Sequence, residues 1–531
     1  MKKSKYVWVF LCMLFLVGIL LRTYNFSSWL RFNADQARDA SVVLSMIEKG
    51  NIPLLGPVAG GTNFRIGPMS IYFQFVGAWL FGMSPDKMAY ADLFFGILSV
   101  PLLFLLLREY FSKRVALISM ALYATSFFAI QYSRFAWNSN SAQFFVMLLL
   151  FAIIKASHEK GGRKIAWAIL AGTALGVAVQ LHTLLLFAAP FFLVMIGVHL
   201  VWNKKINIVQ VIVIVAMALV MNFPQILSEI KTSQGNVMAF YDGLEKKSPK
   251  QASLGGNVLH VAACQVQANV RILLPRVEQE SCSFPFAGDN WKRIEKKNET
   301  VVKWTTYLLG FLFATAFSIF GCWLLVYRAF KLKDEKARIF FAVIFTYCAA
   351  LLLVSFPFGS EISLRYFILT AFLPYLFVAL FLEWIFKKNK TMLSFGALLA
   401  VGLIFLYNVY FCAQVFRGYA NSGGNMIDGS MLQAQEMAEY FMQQSSASAG
   451  VQIGGKNTDV GRFVDRLSYF FKVSGKTIIE IDDQADVDAE MPFFVAVSEM
   501  SKDCQVGEQY KEYGIIKACK KFSGVTILRM N

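Results

Sequence analysis

Residues 69–82 read MSIYFQFVGAWLFG. Whether these fourteen residues cross a membrane decides how the rest of the chain is arranged. They are apolar, but they hold Gln74 and Gly77 and stop at Phe81-Gly82. As a helix they reach about 21 Å, against about 30 Å of hydrocarbon in a bilayer. They are therefore expected to lie in the outer interface.

Eleven other apolar runs flank this one, at roughly 6–21, 88–107, 115–131, 141–154, 165–181, 183–202, 206–221, 304–327, 339–356, 366–386 and 391–412. Between them sit short basic clusters: Arg108/Lys113/Arg114, Lys155/Lys160/Arg163/Lys164, Lys204/Lys205, Arg328/Lys331/Lys333/Lys336/Arg338 and Lys387/Lys388/Lys390. If 69–82 crosses, the cluster at 108–114 and every later basic loop fall outside. If it does not, all of them fall on the cytoplasmic side with the N-terminus, as basic loops do. The expected fold is an all-α polytopic membrane bundle of about eleven spans. It has outer loops 22–87, 132–140, 222–303 and 357–365 and an extracytoplasmic C-terminus.

Composition supports this placement. The chain has 531 residues, 56% of them apolar and only 16% charged, too few for a soluble protein of this size. The formal charge of +17 lies in the loops between spans, so no nucleic-acid partner is expected. Residues 1–412 carry 39 Lys and Arg against 19 Asp and Glu; residues 413–531 carry 12 against 15. That shift divides a membrane domain, 1–412, from an extracytoplasmic domain, 413–531. Lys2, Lys3 and Lys5 precede the first apolar run as in a signal peptide. Arg22-Thr23-Tyr24-Asn25 offers no small-residue cleavage site, so an uncleaved first span is expected.

The tail alternates two periodicities. Gly429–Gln444 and Asp459–Lys472 have apolar residues at helical spacing. Val451–Gly454, Thr477–Ile481, Pro492–Ser498 and Val525–Met530 are strand candidates, which makes a small α/β domain. Gly454-Gly455-Lys456 is too short for a phosphate cradle and reads as a turn. Cys264/Cys282 and Cys504/Cys519 form even sets in outer segments and are disulfide candidates in an oxidising compartment.

No nucleotide loop, paired-cysteine metal signature or His-x-x-x-His is present, so chemistry has to rest on polar residues of the outer loops. The richest segment is Trp29–Ala40. A helix is expected from Ala34 to Lys49, capped by Asn33 and stopped by Gly50, with Asp35 in its first turn. Asp35 either complements the helix dipole and pairs with Arg38, or serves as a general base at the membrane surface. The two roles are compatible. Arg65 suits a phosphate or snorkels to lipid headgroups. Arg134, Trp137, Asn138 and Asn140 follow the third span and read as a site or as an aromatic belt with helix caps. Arg365, before Tyr366, holds a lipid phosphate or anchors its helix. His182, at an outer turn, is expected to cap a helix.

In that order these residues resemble the GT-C superfamily of membrane glycosyltransferases, nearest its protein O-mannosyltransferase-like and lipid A aminoarabinose transferase-like members. The matching features are Asp-x-x-Arg-x-Ala (Asp35, Arg38, Ala40), Phe64-Arg65-x-Gly67-Pro68 before a helix ending Leu80-Phe81-Gly82, Tyr132-Ser133-Arg134, and Arg365-Tyr366. The resemblance covers about 1–412. It implies an inverting transfer from a polyprenyl-phosphate sugar to an acceptor hydroxyl on a protein, lipid or glycan, at the outer face of the cytoplasmic membrane. By that analogy Asp35 is the base, and Arg65, Arg134 and Arg365 steady the lipid phosphate. Arg38, Asp39, Tyr132, Asn138, Asn140 and Tyr366 surround the sugar and acceptor. Many members carry a second acid after the third span; here the stretch holds Asn138, Ser139 and Asn140. An amide supplies no charge to a metal, so no cofactor is expected and a divalent metal is disfavoured. The alternative is a polytopic lipid or polysaccharide exporter, or a glycan polymerase or ligase. An exporter calls for ionisable groups and broken helices near the bilayer midplane.

Overall fold

The computed structural model describes residues 2–59, 62–245, 253–275, 282, 301–421, 424–444, 450–455, 459–481, 491–497, 515–522 and 524–530. Among them, six helices are long and apolar enough to cross a membrane: Pro85–Arg108, Arg163–Leu181, Thr183–Trp202, Leu312–Lys331, Glu335–Glu361 and Thr391–Tyr419. Two bent pairs raise the number to eight if each is one span. The chain is a multi-pass membrane protein.

The remaining runs that the sequence marks as spans are short or interrupted, each for a local reason. Leu11–Thr23 and Ala142–His158 are apolar but short. The run 115–131 breaks at Ser126, whose extended ψ of 117° ends Lys113–Thr125 and whose hydroxyl caps Phe127–Gln131 by accepting from the Ala129 amide. The run 206–221 ends at Asn222, and Pro224 opens the next helix after a 61° bend. The run 366–386 begins as a 3₁₀ segment, Leu364–Thr370, and bends by 57° into Leu373–Lys387, where Pro374 lies in the first turn. Proline lacks the amide a continuing helix needs, so both prolines sit where a helix starts. Met69–Phe81 is a separate helix of thirteen residues with Val76, Trp79, Leu80 and Phe81 exposed.

The expected domain boundary at 412 falls inside a helix, Thr391–Asn421. The fall in apolar content there marks the edge of the apolar run. The helix continues past that edge, through Gly418, to Asn421. Beyond it, β3 (Gly450–Gly454), β4 (Thr477–Glu480), β5 (Phe493–Val497), β6 (Ile516–Phe522) and β7 (Val525–Met530) form one sheet in the order β4-β3-β5-β7-β6. β3 runs parallel to β4 and β5; β7 runs antiparallel to β5 and β6. Helices Met431–Gln444 and Val460–Val473 pack on it through Phe441, Phe463 and Phe494. Strand β6 has no counterpart among the sequence-based strands. Its IKACKKF carries three lysines and is mostly exposed because it is an edge strand, where lysines block further pairing.

The tail is docked on the segment 22–87. β1 (Arg31–Phe32) pairs antiparallel with β2 (Gly429–Ser430). Arg31 forms an ion pair of 2.7 Å with Asp428. The Tyr469 hydroxyl donates to the Met83 carbonyl. Arg466, fully buried, donates to the carbonyls of Phe32 (2.8 Å), Asn425 (2.9 Å) and Ser430 (3.0 Å) and to the Gln433 side chain (3.0 Å).

Cys264 and Cys282 are disulfide-bonded to each other. Cys519 is disulfide-bonded, and Cys504 lies outside the described residues. Mass spectrometry without reductant is expected to find Cys264 joined to Cys282 and Cys12, Cys322, Cys348 and Cys412 as thiols. Arg466→Met leaves several buried carbonyls unpaired and is expected to cost at least about 3 kcal/mol. Protease cutting beyond Asn421, followed with temperature, measures that loss.

Candidate active site

The first outer loop delivers its charges through one well-capped helix, Ala34–Lys49. The Asn33 side chain accepts from the Asp35 amide, and the Gln36 side chain accepts from the Asn33 amide, a reciprocal capping box. Gly50 ends the helix at φ +67°, a left-handed conformation that favours glycine. Both ends are the ones expected from the sequence.

Asp35, in the first turn, is about half exposed, with 53% of its side chain accessible. One turn on, Arg38 bridges two acids: Nη1 lies 2.9 Å from Asp35 and Nη2 lies 2.8 Å from Asp39. Asp39 is buried. Burial pushes its pKa up to about 6, against the pull of Arg38 in the other direction. The two acids thus differ in kind. Asp35 meets solvent, whereas Asp39 lies behind the guanidinium.

Asp35 and Arg38 open onto a cleft of ≈ 850 Å³. One wall is the outward face of Ala34–Lys49, with Ser41, Val42 and Ser45; Gly50–Pro53 closes one end. The other wall is Asp465, Ser468 and Lys472 of the tail helix. Lys472 reaches across and donates to the Ser41 carbonyl at 3.1 Å. The tail residues were not among the sequence candidates. They stand at i, i+3 and i+7 on the polar face of a helix whose other face is core, a pattern that solvent alone would explain.

The other candidates fall elsewhere. Arg65 is exposed, on a loop pinned to helix Gly235–Glu245 by two hydrogen bonds between its backbone and Asn236 (2.8 and 3.0 Å). That loop presses on helix Arg163–Leu181 so closely that a Cβ on Gly67 would meet Gln180 at 2.3 Å. Arg365 is exposed, its guanidinium 5.9 Å from the Trp137 ring centroid and 5.6 Å from that of Tyr366. Tyr366 packs edge-on to His182, and Tyr132 stacks on Trp137 at 6.2 Å. These rings make one patch at the ends of the spans. His182 accepts from the Leu184 amide and so caps its helix, as expected. Burial, and then Arg365, lower its pKa to about 3.

Three candidates have structural roles instead. Arg134 is buried; it donates to the carbonyls of Arg22 (2.9 Å), Leu21 (3.4 Å) and Asn25 (3.4 Å) and lies over Phe26 and Phe416. Its charge ties the end of the first helix to the loop 132–140, and it lines a narrow crevice with Trp29, Arg31 and Phe416 rather than the cleft in front of Asp35. Asn140 is buried and donates to the Phe135 carbonyl at 2.6 Å. Asn138 donates to the Leu181 carbonyl at 3.0 Å. A buried carboxylate that sequence reading passed over, Asp92, accepts from the Trp137 amide and the Ser141 hydroxyl and so fixes the loop that carries Trp137. Asp92 sits in an otherwise apolar run, which is the signal that marks it.

Residues 66–226 match the family described as dolichyl-phosphate-mannose-protein mannosyltransferase. No curated protein matches by sequence. Among solved structures, the oligosaccharyltransferase AglB of the archaeon Archaeoglobus fulgidus is similar in fold. In complex with an inhibitory peptide and a dolichol-phosphate it is 16% identical with a TM-score of 0.50, over 88% of this chain and 64% of that one. The apo oligosaccharyltransferase of A. fulgidus gives 14% identity and a TM-score of 0.52, over 94% and 70%. ArnT from Cupriavidus metallidurans aligns over 100% of this chain and 98% of its own, at 12% identity and a TM-score of 0.47. This chain therefore spans 64% of the length of the first of these relatives. Asp35 and Arg38 lie outside the stretch matched by the family. The resemblance read from the motifs is borne out: the chain has the fold of the GT-C membrane glycosyltransferases, and over 66–226 it matches the mannosyltransferase family.

Proposed function

We propose that the protein is an inverting glycosyltransferase. It moves a sugar from a polyprenyl-phosphate donor to an acceptor hydroxyl, with Asp35 as the base. The single observation that carries this is a half-exposed carboxylate, fixed on a capped helix, opening into the cleft. A base must come within hydrogen-bond reach of the proton it takes; Asp35 and Asp465 both open into the cleft, and Asp35 is the one held at the start of a capped helix beside Arg38. The acceptor proton passes to Asp35, the acceptor oxygen attacks the anomeric carbon, and the bond from that carbon to the phosphate oxygen breaks. The polyprenyl phosphate leaves with the bonding pair. The solved structures with dolichol-phosphate in AglB and undecaprenyl phosphate in ArnT are the models for the donor.

Arg65 and Arg365 are exposed, outside the lining of the cleft, and suit a phosphate, which needs fixed cations rather than covalent help. Arg134 is withdrawn from that role, because it is buried and its two terminal nitrogens donate to carbonyls. No metal enters the scheme: the Arg38 guanidinium already stands between the two carboxylates that a cation would bridge. The N-terminus is placed in the cytosol and the tail outside the cytoplasmic membrane, from the basic clusters. An exporter draws support from the two bent helix pairs. Neither bend carries an ionisable side chain, since they read Met221–Pro224 and Thr370–Pro374.

With purified protein and a panel of polyprenyl-phosphate sugars, Asp35→Asn is expected to lower the rate by about 10²–10⁴, the usual share of a positioned base. Equal rates in both proteins refute the base, and no polyprenyl phosphate from any donor refutes the transfer. Arg365→Ala is expected to raise the donor KM, whereas Arg134→Ala shows itself first in thermal stability. EDTA is expected to leave the rate unchanged. Asp39 has a folded pKa above its ordinary value, so its stabilising share is whole in acid and is lost as pH rises through about 6. Asp39→Asn, neutral throughout, is expected to gain thermal stability over the wild type between pH 5 and pH 8, by melting in detergent.

A further inference from the structure

The cleft in front of Asp35 is built by two facing helices from opposite ends of the chain. Asp35, Arg38 and Ser41 line one side; Asp465, Ser468 and Lys472 line the other. The tail residues recur at i, i+3 and i+7, so they share one helix face. Two acids meet two bases across the gap, and serine hydroxyls stand among them. At ≈ 850 Å³ the space lies within the range of ligand clefts, about 300–1,000 Å³.

If Asp35 takes a proton from the acceptor, the hydroxyl-bearing end of that acceptor has to sit in this space. The lining chooses among acceptor classes. Its charges balance, so an acceptor rich in phosphate gains no net attraction. A peptide strand is commonly bound by pairing with a free sheet edge, and no strand lines this cleft: its two walls are helices and its end is the short stretch Gly50–Pro53. What remains is a dense array of side-chain donors and acceptors, which matches a chain of hydroxyls.

We propose that the cleft binds a neutral oligosaccharide as acceptor, and that Ser468 and Lys472 of the tail determine its choice. This rests on the transfer reading above and names its acceptor. The tail thereby becomes a specificity element for chemistry carried by the first outer loop.

Saturation-transfer NMR on the full-length protein in lipid nanodiscs tests this with three probes: neutral gluco-, manno- and galacto-hexaoses, a serine- and threonine-rich hexapeptide, and a hexose phosphate. A neutral hexaose is expected to bind. Lys472→Glu and Ser468→Trp are each expected to weaken it at least tenfold. Lys472 is exposed, so its reversal separates binding from folding, and a monodisperse elution profile checks the latter. Binding by the peptide or the hexose phosphate alone overturns the proposal. So does the absence of hexaose binding, or hexaose binding that both variants leave unchanged. Adding a polyprenyl-phosphate hexose to the same samples separates the two readings. Hexaose binding without donor consumption removes the transfer and leaves the cleft as a glycan site. Donor consumption without hexaose binding removes the cleft assignment and leaves the transfer.

Discussion

One buried guanidinium holds the two halves of this molecule together. Arg466 sits with no exposed surface among carbonyls from the first outer loop, from the connection at 425–426 and from β2. Burial lowers its pKa to about 10, which still leaves it charged at neutral pH. A buried cation is costly unless its donors are met, and here acceptors from three segments meet them together. Removing any one segment leaves the others with an unsatisfied charge. The docking is therefore cooperative, and helix Val460–Val473 can stand in only one place over helix Ala34–Lys49. The cleft is a consequence of that placement.

The same logic separates the arginines that belong to a site from those that belong to the frame. Arg134, like Arg466, has its donors directed at backbone carbonyls and is buried. Arg65 and Arg365 are exposed; the Arg65 guanidinium gives one hydrogen bond to the Gly56 carbonyl at 3.3 Å, and that of Arg365 lies over ring faces. In sequence all of these are basic residues beside apolar runs. Which are spent and which are free depends on the neighbours, and those come from distant parts of the chain.

This bounds what could be read beforehand. Helix Ala34–Lys49 was legible from end to end, because Asn33, Gln36 and Gly50 act within a few residues of themselves. Six of the tail elements were legible for the same reason, through periodicity. The breaks at Ser126, Asn222 and Ala371 were not, since hydropathy averages across a bend that a single serine or proline makes. The split at 412 followed composition, which reports the end of the apolar run and is silent about where a helix stops. The polar wall at Asp465, Ser468 and Lys472 was illegible in a stricter sense. Its pattern is that of any amphipathic helix, and only docking turns the wet face into half of a cleft.

The pairing inside helix Ala34–Lys49 explains why two acids so close in sequence should be kept. Arg38 alone beside Asp35 would be a surface pair, weak and free to swing away. Asp39, buried behind it, holds the guanidinium from the other side and takes part of its charge. Asp35 therefore has a fixed neighbour that does not fully neutralise it, and a carboxylate in that condition stays able to accept a proton. Protonating Asp39, near pH 6, leaves Arg38 to Asp35 alone and draws the guanidinium closer to the exposed acid. The buried acid thus tunes the exposed one through the cation they share. The pH below which transfer slows should then follow Asp39, although Asp39 lies buried behind Arg38.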